Sequence, residues 1–170
     1  MRRRSLFCAG LLALLLSGCA GYQVGPTNGL TAGEKSIQVA PFENRTVEPY
    51  LTDAVTASLR RKIQQDGTYA LNTHNSGDII LTGTLVHYQR LPLSFQPGDT
   101  FTARDYQISL SAQVTARDRD TGKVIFSQTF TGYTTMRIGN DLASTERETL
   151  PLLADNLAQR IVDLLANGSW

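Results

Sequence analysis

Hydrophobic and polar positions change period several times along the 170-residue chain, and each change marks an element. Leu6 to Leu16 form an apolar run behind Arg2, Arg3 and Arg4. From Ala20 to Lys35 the chain carries Gly21, Gly25, Gly29, Gly33 and Pro26, a composition that resists packing and reads as a tether. At Ser36 the pattern tightens into Ile37, Val39 and Phe42, a first strand stopped by Pro41 and a polar Glu43-Asn44-Arg45-Thr46 turn. Leu51, Ala54, Val55, Leu59 and Ile63 then recur at helical spacing, with Arg60, Arg61, Gln64 and Gln65 on the opposite side. This predicts a helix over Pro49 to Gln65, with Gly67 as its stop.

A brief Tyr69–Leu71 extension and a turn-like Asn72–Gly77 stretch lead to a second strand over Asp78 to Arg90, apolar on both faces and therefore central. Pro92 to Thr100 reads as a loop. The longest regular signal follows: Tyr106, Ile108, Leu110, Ala112, Val114 and Ala116 alternate with polar residues, the mark of a strand with one buried face. Asp118 to Gly122 makes a hairpin turn, and Val124, Phe126 and Phe130 carry the buried face onto a fourth strand. Leu150, Leu153, Leu157, Ile161, Leu164 and Leu165 stripe a closing helix that stops at Gly168. Its start is open: Thr145 with Glu148 resembles a capping box, which leaves Pro151 inside the helix, whereas a start at Thr149 puts Pro151 in the tolerant first turn.

The order β-α-β-β-β-α predicts an α+β fold, a two-layer sandwich of a four-stranded, largely antiparallel or mixed sheet with two helices on one face, in a domain spanning residues 36–170. The other face is then left over. It comprises Gln107, Ser109, Ser111, Gln113 and Thr115 on the third strand and Ser127, Thr129 and Thr131 on the fourth. A solvated sheet face commonly carries Lys and Glu, and interface cores are depleted of charge, so this set is a candidate partner-facing surface. Intrinsic β propensity accounts for the threonines equally well.

Composition narrows the function. Net charge is +1 with 18% charged residues, so no basic stripe exists for a nucleic-acid partner. The apolar run is shorter than the roughly 20 residues a membrane helix needs. Residues 1–18 thus form a secretory signal, and Leu16-Ser17-Gly18-Cys19 at the cut looks like a bacterial lipobox. Cys19 is then the lipidation site, carrying an N-acyl (palmitoyl-type) chain and S-diacylglycerol, at the head of a tether over 19–35. Cys8 leaves with the signal, so the mature chain holds no disulfide. Several acyl chains, each worth about 0.8 kcal/mol per buried CH₂, give a lasting anchor. Ala20 after the lipidated Cys, rather than Asp, points to the outer membrane on its periplasmic side.

Catalytic and metal chemistry find no persuasive spacing. His74 falls in a turn and His87 in a strand, without Cys, Asp or Glu at ligand spacing. Asp118-Arg119-Asp120 opens like a calcium loop, but its twelfth position is Thr129 where Glu is required. Gly122-Lys123 lacks the upstream glycine of a phosphate loop, Arg117 standing there. No enzyme activity, metal or dissociable cofactor is expected. Arg90, Arg104 and Arg137, at loop or strand ends, are candidates for pairing with lipid phosphate, although arginine also merely decorates surfaces.

Taken in order, several segments resemble the LptE family, the lipopolysaccharide-assembly lipoproteins of Gram-negative outer membranes. The carriers are the lipobox with Gly21-Tyr22-Gln23-Val24, the run Ile37 to Thr46, Gly83-Thr84-Leu85, Tyr106 to Leu110, Asp120 to Val124 and the Leu157–Leu165 helix. The resemblance implies a non-catalytic plug within the large β-barrel LptD, which helps that barrel assemble and binds lipopolysaccharide on its way to the outer leaflet. It also implies glycolipid contact by basic residues near the loop between strands two and three and after strand four, which offers Arg90, Arg104 and Arg137 here. The loop tip Gln96-Pro97-Gly98 carries no positive charge. The Val39–Thr46 entry is also similar to curli-secretion and penicillin-binding-protein-activator lipoproteins, but those continue with further βα units. A lipid carrier with its own cavity would need more chain than the roughly 130 residues after the tether.

Overall fold

The computed structural model describes residues 31–139 and 141–168. The signal segment, the lipobox with Cys19, and the tether as far as residue 30 lie outside the described residues. The elements in order are β1 (Ser36–Val39), β2 (Glu43–Asn44), α1 (Leu51–Asp66), β3 (Ala70–Asn72), β4 (Ile79–Gln96), β5 (Asp99–Asp118), β6 (Val124–Arg137) and α2 (Leu142–Asn167).

The α+β class and the two helices agree with expectation, but the mixed sheet has six strands rather than four. Its order is β3-β1-β4-β5-β6, with β2 also paired to β4. Two short parallel strands make the difference. Pro41 has no N–H for a ladder, so pairing lapses after β1 and resumes for two residues, Glu43 beside Thr84 and Asn44 beside Leu85. The polar residues still build the expected turn: Asn44 Oδ1 accepts the Thr46 N–H at 2.9 Å. Phe42 falls outside β1, its ring pressed on Gly83, where a Cβ would lie 2.3 Å from the ring. β3 pairs with β1 from Ser36/Ala70 to Gln38/Asn72, too short to show an alternation of its own.

The region read as a loop from Pro92 to Thr100 is instead the end of a long hairpin. β4 runs on to Gln96, Pro97-Gly98 turn with Gly98 at φ +82°, and β5 starts at Asp99. Pro92 sits next to the irregularity at Leu93, where a missing N–H is tolerated. A first bulge between Leu85 and His87 switches the inward positions of β4 from Ile79, Leu81 and Leu85 to Tyr88 and Arg90. β6 likewise continues past Thr131 to Arg137.

One core joins these strands to both helices. Ile37, Leu81, Leu85, Ile108 and Leu110 face Leu51, Leu59, Leu153, Leu157 and Ile161 as one buried cluster. α2 runs beneath β6 at close range, since a Cβ on Gly132 would meet the backbone N of Leu157 at 2.8 Å. Arg61 and Asp155 tie the helices together at 2.6 Å. α2 begins earlier than either expected start because Asp141 caps it, its carboxylate accepting N–H bonds from Ala143 at 3.4 Å and Ser144 at 2.9 Å. Pro151 therefore lies inside the helix, on its exposed side.

Candidate partner interface

The face turned away from the helices is built by strand alternation alone. Gln107, Ser109, Ser111, Gln113 and Thr115 point outward because Ile108, Leu110, Ala112, Val114 and Ala116 point in. Ser127, Thr129 and Thr131 continue that face on β6, opposite Thr115, Gln113 and Ser111. Hydroxyls lock the two strands laterally: Ser111 with Thr131 at 2.9 Å and Thr115 with Ser127 at 2.9 Å. On β4 the face gains Thr82, Thr84, His87 and Gln89, and on β6 Tyr133 and Thr135.

The charged groups stand at its margins. Glu43 and Arg45 pair at 3.0 Å beside Thr84, Arg117 donates to the Gly122 carbonyl at 2.6 Å, and Asp105 meets Arg137 at 2.8 Å at the far end. The Arg45 guanidinium holds the Glu43 carboxyl below its ordinary range. At the Glu43 margin a shallow polar depression of about 420 Å³ is lined by Glu43, Thr82, Thr84, Gln113 and Thr115 among others. An uncharged, hydroxyl- and amide-rich face costs less to desolvate than one studded with Lys and Glu.

The second part of this surface lies in the stretch whose sequence reads as a loop. Where β4 and β5 outrun the helices, Leu91, Leu93, Phe95 and Phe101 are exposed, Phe101 at 95%. Leu91, Leu93 and Phe95 alternate at strand spacing, a signal masked by the flanking prolines. Asp99 shapes the tip by accepting the Phe101 N–H at 2.8 Å, and the Thr102 hydroxyl is the main group holding its carboxyl below the usual range.

The three candidate arginines do not converge. Arg90, opposite Ile108, lies on the helix side and pairs with Glu146 of α2 at 3.0 Å. Glu146 also receives the Tyr88 hydroxyl, whose acidity is suppressed first by burial and then by that bond. Arg137 lies on the outer side, donating to Asp105. Arg104 is exposed and has no ion-pair partner among the described residues. His74 sits in the Asn72–Ser76 turn and His87 on the outer face, and no group of three or more metal-ligating side chains occurs among the described residues. No helix among them is long and apolar enough to cross a membrane.

The lipopolysaccharide-assembly family LptE matches residues 34–165, nearly all of the described chain. The chain belongs to the LptE family. No curated protein matches its sequence. Solved structures share this fold at low identity. A Xanthomonas campestris protein, XCC0632, has 14% identity and a TM-score of 0.57, with 86% of this chain and 92% of that one covered. The hypothetical protein CT253 of Chlamydia trachomatis gives 13% and 0.56, covering 78% and 96%. A minor lipoprotein of Acinetobacter baumannii gives 17% and 0.51, covering 78% and 92%. At such identities these structures speak for the fold alone.

Proposed function

We propose that this LptE-family chain is a non-catalytic, lipid-anchored outer-membrane protein, acylated at Cys19, that plugs and helps assemble an LptD-like β-barrel and assists lipopolysaccharide delivery to the outer leaflet. One observation carries the plug role: the sheet presents a face without Lys, Arg, Asp or Glu between its margins, and that face runs into an apolar hairpin end that neither helix among the described residues covers. A monomer has no use for both together, whereas a barrel lumen removes both from water.

Arg104 is the centre of the proposed glycolipid contact, because Arg90 and Arg137 must first leave Glu146 and Asp105 to reach a phosphate. Arg104→Glu therefore lowers lipopolysaccharide capture more than Arg90→Glu or Arg137→Glu does, with barrel association intact. Equal capture by all three variants and the parent would remove this site. For the plug role, the solubilised lipoprotein is purified and its bound proteins identified. A large β-barrel is expected; a peptidoglycan synthase or a self-assembled ring would favour the other lipoprotein families.

A further inference from the structure

β6 is the last strand of the sheet order, with β5 as its neighbour on one side and none on the other among the described residues. From Val124 to Met136 it contains no charged residue and no proline. Its pairing with β5 runs without irregularity from Phe126/Ala116 to Arg137/Asp105. Soluble proteins guard edges of this length with lysine, proline or a bulge, because the unpaired N–H and C=O groups template another strand.

The direction of those groups follows from two bonds. The Tyr133 N–H leaves the ladder for Asn156 Oδ1 of α2 at 3.0 Å, whereas the Ile138 N–H points to the Arg104 carbonyl of β5 at 2.9 Å. Successive residues of a strand direct their backbone groups to alternate sides, so Ser127, Thr129 and Thr131 present theirs outward. Asn156, together with Arg160 stacked on the Tyr133 ring at 5.6 Å, closes the edge at Tyr133. The outward backbone groups of Ser127, Thr129 and Thr131 meet no further strand among the described residues.

We infer that the stretch from Ile125 to Thr131 is a β-augmentation site, at which an extended segment of the partner polypeptide adds one strand to β6. The inference rests on the barrel reading above and names the contact. A second copy of this chain does not fit: its own α2 would run beneath its β6, about 5 Å from the first α2, where packed helices need about 8–10 Å. A barrel wall does not fit either, because a closed barrel has no free edge to offer. What fits is a loop or terminal tail of the barrel protein, free of charge where it meets Ser127, Thr129 and Thr131, so that its hydroxyl or amide side chains repeat the lateral pairing already seen between Ser111 and Thr131.

The test is amide hydrogen exchange on the full lipoprotein, alone and in its purified barrel complex, with two variants. In the complex the amides of Ser127, Thr129 and Thr131 exchange at least tenfold more slowly than in the lipoprotein alone. Thr129→Pro removes an outward N–H that the β5–β6 ladder does not use, so its circular dichroism and melting stay near those of the parent while barrel recovery falls. Thr129→Val keeps the N–H and retains the barrel. A barrel complex without added protection, or one that tolerates the proline, overturns the inference and leaves the plug reading standing. Protection already present in the isolated lipoprotein assigns the edge to this chain's own tether and also overturns it. Failure to recover any barrel sinks the underlying reading and this inference together.

Discussion

The two ends of the β4–β5 hairpin are made from the same strands and differ in what lies beneath them. At one end Ile79, Leu81, Val114 and Ala116 are sealed by the helices; at the other Leu91, Leu93, Phe95 and Phe101 stand in solvent. The ladder is also less regular at the exposed end, with register shifts between Pro92 and Gln96, but irregular pairing does not by itself expose side chains. α2, capped at Asp141 and running beneath β6, sets the difference. On the proposed plug role, these exposed apolar residues, which the described helices do not reach, are the ones a barrel lumen would cover.

Breaking the covered end has the largest effect. Leu157→Ala, in the fully buried cluster, lowers unfolding free energy in urea by about 2–5 kcal/mol, whereas Phe101→Ala changes it by no more than about 0.5 kcal/mol. A comparable loss from Phe101→Ala would mean that the hairpin tip is already packed. Gly132→Ala is next: a Cβ would meet Leu157 backbone atoms at 2.8 and 2.9 Å, which cannot swing aside, and the expected loss is about 1–3 kcal/mol.

Acid gives a smaller effect. Asp78, beside the Ser36 N–H, and Asp105, beside Arg137, have depressed pKa values, as do Asp118 and Asp141. A carboxyl held lower in the folded state contributes stability above its unfolded pKa of about 3.9 and loses it as pH falls through the folded value. Thermal melts are therefore flat with respect to these groups above about pH 5 and decline below about pH 4. A melting temperature that rises on acidification would contradict the assignment. The smallest effect is at Thr56, whose buried hydroxyl has no hydrogen-bond partner among the described residues, so Thr56→Val raises stability by about 1 kcal/mol in the same urea titration.

The sequence made legible whatever repeats with a strong period: the helix from Leu51, the β5 alternation, the Asp118–Gly122 turn and the uncharged outer face. The Tyr69–Leu71 extension was legible but not its pairing as β3, and β2 escaped altogether, because two or three residues cannot display a period and their parallel partners lie far off in the chain. The start of α2 was hidden by Pro151, whose helix-breaking tendency is outweighed by the Asp141 cap and by packing further on. The arginines were legible as cations but not as ion pairs, since Arg90 meets Glu146 only after folding brings α2 over β4.

Purification of the detergent-solubilised full-length protein from its own envelope tests the central claim most directly. It is expected to emerge in a stoichiometric complex with a large β-barrel, and limited proteolysis is expected to cut at the Leu91–Phe101 hairpin only after the barrel is removed. Emergence as a free monomer, with that hairpin equally open to protease inside the intact envelope, would contradict the claim.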